Sequence, residues 1–182
     1  MYRKIKKKFA GGITLIELLM AIVLFSLITG AAMLVLTVSL KTWNSNKDRI
    51  NIRQNGNLAL EEMVRYLELA SNITAATTSA ITFAADINNN GADETVTLAF
   101  DAVNKNLNVT VGGATTTITP YVQSFSFSYC ASGTETPFTP PDPDTQGERD
   151  TIRVVILSLT MNKGSETISS SSSAYCRNQG VV

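Results

Sequence analysis

A run of 28 residues, 13–40, contains a single charged side chain, Glu17. About 20 apolar residues suffice to cross a bilayer as a helix, so the run is long enough to span one. It is too long and too uniformly apolar for a buried helix of a soluble protein. A carboxylate in such a helix costs roughly 2.5–3.5 kcal/mol on insertion scales, which marks Glu17 as a functional residue. Ahead of the run, Arg3, Lys4, Lys6, Lys7 and Lys8 form a basic leader without any acid. These five charges, set against Lys41, Lys47 and Arg49 behind the run, favour a cytoplasmic N-terminus. Everything beyond about residue 40 then lies outside the cytoplasm.

The run opens with Gly12-Ile13-Thr14-Leu15-Ile16-Glu17. This resembles the N-terminus of type IV prepilins and of the pseudopilins of type II secretion. Those precursors carry a short basic leader, a Gly at the cleavage point and a Glu five residues past the cut. Cleavage after Gly12 makes Ile13 the first residue and Glu17 the fifth; cleavage after Gly11 would displace Glu17 by one place. Two departures stand out: family members usually begin with Phe rather than Ile, and the helix-loosening Pro of many pilins is absent, leaving only Gly30. The resemblance implies removal of residues 1–12 by a prepilin peptidase and N-methylation of Ile13. It also implies a single-pass protein of the bacterial inner membrane, passing later into a pilus or pseudopilus. Four residues separate the new amine from the Glu17 carboxylate, about 6 Å along a helix. A neighbouring subunit shifted by that rise could present its amine to Glu17, and the family implies that this pairing recruits subunits and sets their register. Two other readings compete. A secretory signal peptide could be cut at Gly30-Ala31-Ala32, although a Glu within its core is atypical. A plain signal anchor could let Glu17 snorkel toward the cytoplasmic headgroups.

Composition excludes several function classes. The whole chain has formal charge zero, but the mature chain from Ile13 would hold 10 basic against 15 acidic residues, a net −5. The clustered cations are the ones removed, so no nucleic-acid partner is expected. There is no His, which removes Ser-His-Asp and Cys-His catalysis and His-ligated metal sites. No carboxylate pair has a defined geometry either, and no enzymatic activity is expected. The two cysteines, Cys130 and Cys176, lie in a part of the chain placed in an oxidising compartment. A single disulfide is the natural pairing. It would close a loop of about 46 residues and stabilise by about 4 kcal/mol in the loop-entropy model. Two free buried thiols are the alternative.

Beyond residue 40 helix signals continue to about residue 72, with no Pro from 13 to 72. Leu60, Met63, Val64 and Leu67 keep the spacing of one apolar helical face. Glu61 and Arg65 form a favourable i, i+4 pair on the other face. Gln54-Asn55-Gly56-Asn57 is the point where the helix could bend. From residue 80 the period changes to two. Residues 81–83, 95–100, 106–111, 115–118, 122–129 and 152–161 read as strands, with Gly112-Gly113 as a hairpin turn. Phe125, Phe127 and Tyr129 alternate with Ser126 and Ser128, giving an aromatic face for a core. The expected fold is α+β and pilin-like. A long N-terminal helix, membrane-spanning in its first half, packs by its second half on an antiparallel sheet. The expected divisions are the leader 1–12, the membrane helix 13–40 and an exported domain 41–182.

Three polar stretches remain. Residues 131–150 form a long acidic connection with Pro140-Pro141-Asp142-Pro143-Asp144, readable as a mobile surface loop or a docking surface. The five-serine run 169–173 reads as a flexible surface segment. Residues 86–94 resemble the first half of a calcium loop, in which Asp86, Asp93 and Glu94 would supply carboxylates and Asn88 and Asn90 neutral oxygens. The match fails where a full loop places its bidentate Glu, since that residue is Thr97. The competing reading is an Asx-rich hairpin loop. Calcium at this loop is the one cofactor considered.

More diffuse similarity covers most of the chain. The long helix, Ile81-Thr82-Phe83 before the Asp/Asn/Gly loop, the aromatic strand and Arg177-Asn178 look like J-type pseudopilins and PilW-type minor pilins. The expectation is a minor subunit of a tip or priming complex, with other pilins or pseudopilins as partners. A signal-anchored or secreted binding module, such as an adhesin using the 131–150 loop, is the alternative from another class.

Overall fold

A computed structural model describes residues 12–131, 136–138, 143 and 145–176. Its first element is a 54-residue helix, α1 (Leu15–Glu68). Strands β1 (Asn72–Ala76), β2 (Ala80–Ala85), β3 (Glu94–Asp101), β4 (Asn106–Val111), β5 (Ala114–Thr119) and β6 (Val122–Ala131) follow. A short helix, α2 (Gln146–Thr151), then leads into β7 (Ile152–Lys163) and β8 (Glu166–Tyr175). The fold is α+β with pilin-like architecture, as expected. The chain divides into two compact units between Asn44 and Ser45.

The strands form two sheets where one was expected. The first is a meander in the order β1-β2-β3-β4-β5 and the second has the order β6-β7-β8, every pairing antiparallel. The break falls at Pro120-Tyr121. Pro120 has no N–H for a ladder, and Tyr121 turns the backbone into the left-handed region at φ 68°. Beyond it the Val122 N–H donates to Lys105 O at 2.9 Å, and the Asn162 N–H donates to Tyr121 O at 3.0 Å. The chain therefore exchanges one set of neighbours for another within three residues. The Gly112-Gly113 turn is as expected, with both residues at positive φ (56° and 89°) between β4 and β5; such φ values suit the two-residue turns that match strand twist.

The second half of α1 buries Ile52, Gly56, Ala59, Leu60, Met63 and Leu67. Met63 and Leu67 are fully covered, and burial of such side chains contributes about 1.5–3 kcal/mol each. The aromatic stripe of β6 joins this core. Phe125 and Phe127 meet edge to face at 4.7 Å, and Phe127 stacks with Tyr129 at 6.3 Å. Asp48 pairs with Lys163 at 3.2 Å and Ser45 donates to Glu166 at 2.5 Å, fastening the helix to the β7–β8 hairpin.

Gln54-Asn55-Gly56-Asn57 does not interrupt the helix. A Cβ on Gly56 would stand 3.0 Å from Met161 Sδ and 3.6 Å from Leu159 Cδ2, so the glycine allows the helix to approach β7 closely. Gly56→Leu is expected to destabilise the domain by about 1–3 kcal/mol through overpacking. A urea titration with an unchanged midpoint would remove Gly56 from this role.

Two segments differ from expectation. The helix ends at Glu68, and Asn72–Ala76 becomes β1, paired with β2. The serine run is ordered strand: β8 pairs with β7 from Val154↔Tyr175 to Lys163↔Glu166. Serine has little preference of its own for a strand. The pairing partner decides its conformation, and Ser169 adds a side-chain hydrogen bond to Thr160 at 3.0 Å. The 131–150 connection is tied down at its described points. Phe138 donates to Tyr129 O at 2.8 Å and packs against the core. Thr145 caps α2 in a reciprocal box with Glu148. Gln146 donates to Ile73 O at 3.2 Å, linking α2 to β1. Glu135, Pro140, Pro141, Asp142 and Asp144 lie outside the described residues.

Candidate functional site

Gly12, Ile13 and Thr14 precede the first helical turn of α1. Thr14 starts the helix: its hydroxyl accepts from the Glu17 N–H at 3.3 Å and its carbonyl from the Leu18 N–H at 3.1 Å. The Thr14-Leu15-Ile16-Glu17 spacing is a capping-box signal readable in the sequence, beside the Gly12-to-Glu17 spacing. The Gly12–Ile13 bond sits outside the helical hydrogen-bond ladder. Ile13 is 74% exposed, and nothing lies within 4 Å of a Cβ built on Gly12.

Glu17 lies in the first turn of α1. Its side chain makes no hydrogen bond or ion pair among the described residues. Around it and beyond, Leu15, Ile16, Leu18, Phe25, Leu27 and their neighbours up to Leu40 are exposed. The helix is long and apolar enough to cross a membrane. A lone acceptor on an apolar surface can do two things. It can remain at a wet boundary, or it can enter an apolar bundle with a cationic partner.

No bond joins Cys130 to Cys176 in the structure, where a disulfide was expected, and both side chains are buried. Register explains why. Tyr129, Val155 and Ala174 form one row across β6, β7 and β8. Cys130 follows Tyr129 and therefore points to the opposite face. Cys176 lies two residues past Ala174, on the same face as Ala174, and its N–H extends the ladder to Arg153 O at 2.9 Å. With β7 between them the two backbones stand about 10 Å apart, beyond the roughly 7 Å limit for a bridge. Burial pushes the Cys176 thiol up to about 11, partly offset by Arg153, which keeps it protonated and a poor nucleophile at neutral pH. Protein unfolded without reductant should therefore label at both thiols. Faster migration on a non-reducing gel, lost on reduction, would restore the bridge.

The 86–94 segment closes on itself. Asp86 accepts from the N–H groups of Asn90 (3.0 Å) and Gly91 (2.8 Å). Asn88 and Asn90 accept from the N–H groups of Asn90 and Ala92. Glu94 accepts from the Ile87 N–H at 3.1 Å and from the Asn88 amide. Asp93 accepts from the Ser71 hydroxyl at 2.6 Å. Among the described residues no group of three or more Asp, Glu, Cys or His converges as a metal would require. These hydrogen bonds are those of an Asx-rich hairpin loop, the competing reading of the segment.

Residues 7–33 match the family model described as the prokaryotic N-terminal methylation motif. No curated protein and no solved structure matches the chain. The motif supports a type IV prepilin-like chain, and its match contains Gly12, Ile13 and Glu17.

Proposed function

We propose that the protein is a minor pilin or minor pseudopilin, a structural subunit of a filament assembled from the inner membrane. One observation carries this reading. Glu17 stands five residues past Gly12, at the head of an exposed apolar helix within the methylation motif, and that helix continues into a folded α+β domain. A prepilin peptidase would cut after Gly12 and other pilins or pseudopilins would supply the neighbouring subunits. The J-type and PilW-type resemblance and the absent helix-loosening Pro favour a tip or priming subunit used in few copies. The subunit works by position and contact, and no catalytic step is assigned to it.

Processing tests the reading. Intact mass of membrane-extracted protein should show loss of residues 1–12 and a methylated Ile13. A mature N-terminus near Met33 would overturn it and favour a secreted binding module. Co-purification should recover other minor subunits in near-equal amounts. Filaments built mainly of this protein would overturn the minor assignment alone.

A further inference from the structure

The apolar half of α1 is longer than the layer it would cross. Residues 15–40 rise about 39 Å at 1.5 Å per residue, against a hydrocarbon core of about 30 Å. An average tilt of about 20° shortens the span only to about 37 Å, and full accommodation would need about 40°, the upper end of the range for membrane helices. At the average tilt one end leaves the hydrocarbon.

The outer end has the fixed point. Trp43 is the only tryptophan of the chain, it is 72% exposed, and Lys41 stands two residues before it. An indole combines an apolar ring with one N–H donor and settles at headgroup level. Lysine holds its ammonium in the same layer by snorkelling. We propose that Trp43 and Lys41 anchor the unassembled subunit in the outer phospholipid headgroups, which places Glu17 among the inner headgroups rather than in the hydrocarbon. Twenty residues fill the hydrocarbon when it holds 21–40, and Glu17 then lies about 6 Å outside its cytoplasmic edge. From Glu17 to Trp43 is about 39 Å, close to the 40–45 Å of a bilayer with its headgroups. The carboxylate stays hydrated while the subunit waits in the membrane. Its desolvation then belongs to the step that lifts the subunit into a filament, where a cationic partner is first at hand. This register rests on the proposed function only in requiring that the helix be retained in the membrane.

Trp43 is its own probe. The full chain is placed in vesicles of phosphatidylethanolamine and phosphatidylglycerol carrying lipids brominated near the headgroup or near the chain end. Shallow bromines should quench Trp43 about twofold or more over deep ones, as an interfacial indole requires. Leu36→Trp in a Trp43→Phe chain moves the indole about 10 Å inward and should reverse that order. A Glu17→Cys thiol should react with an aqueous maleimide about tenfold or more faster than a Leu27→Cys thiol in mid-hydrocarbon; the native thiols are buried. Deep quenching of Trp43, or equal slow labelling at both positions, overturns the register and leaves the membrane-spanning reading intact. A chain that washes out of the vesicles at alkaline pH overturns both.

Discussion

Glu17→Ala is expected to insert into the membrane as well as the unaltered protein and to drop out of filaments. In the membrane the change removes an expensive charge or a hydrated one, so nothing is lost. In an apolar bundle the carboxylate would face the terminal amine of a neighbouring Ile13. Removing one partner of a buried pair costs about 3–5 kcal/mol, on the order of a 10²–10⁴-fold loss in incorporation. The ratio of sheared-filament to membrane protein measures it directly. Glu17→Gln preserves shape without charge and should behave close to Glu17→Ala. Equal incorporation of either variant and the unaltered protein would refute the pairing, because a bundle indifferent to the charge contains no partner for it.

Tyr129→Ala is expected to cause one of the largest stability losses available in the folded α+β domain. The ring is fully buried and stacked on Phe127. Its hydroxyl donates to Thr77 O at 2.6 Å, fixing the β1–β2 connection against β6. Deleting a large buried aromatic side chain costs about 3–5 kcal/mol, a large fraction of the 5–15 kcal/mol that holds a typical domain together. Tyr129→Phe separates the two contributions. It leaves the ring and removes the bond to the carbonyl of Thr77, an exposed residue that water can serve instead, at a cost of about 0.5–1.5 kcal/mol. Urea unfolding followed by circular dichroism gives both values. A Tyr129→Phe midpoint equal to that of the unaltered protein would show that the hydroxyl tether carries nothing and that packing alone holds the two sheets.

Some features were legible because their signals are local. The apolar run and its lone carboxylate need no partner to be recognised. Neither does the spacing from Gly12 to Glu17. The alternation Phe125-Ser126-Phe127-Ser128-Tyr129 assigns one face to a core whatever that core turns out to be. The apolar stripe through Leu60, Met63 and Leu67 does the same for the helix. The Thr145–Glu148 capping box goes unread although its spacing carries the signal, because the surrounding prolines and acids direct attention to a solvated loop.

Other features depend on contacts remote in sequence. Five consecutive serines carry no strand signal, and β8 exists because β7 offers it a ladder. Gly56 reads as a weak point until Met161 and Leu159 lie against it. The oxygens of 86–94 read as cation ligands or as turn-formers, and only the fold shows them accepting from backbone N–H groups of their own loop. Cys130 and Cys176 look like a pair until the register sets them on opposite faces, with β7 between. By itself the sequence determined which segments are apolar, where the N-terminal methylation motif lies and which period each segment follows, since these are properties of neighbours along the chain. The tertiary structure decided which strands pair, which face each cysteine takes and where one sheet becomes two, since a backbone ladder acquires its partner only when distant segments meet.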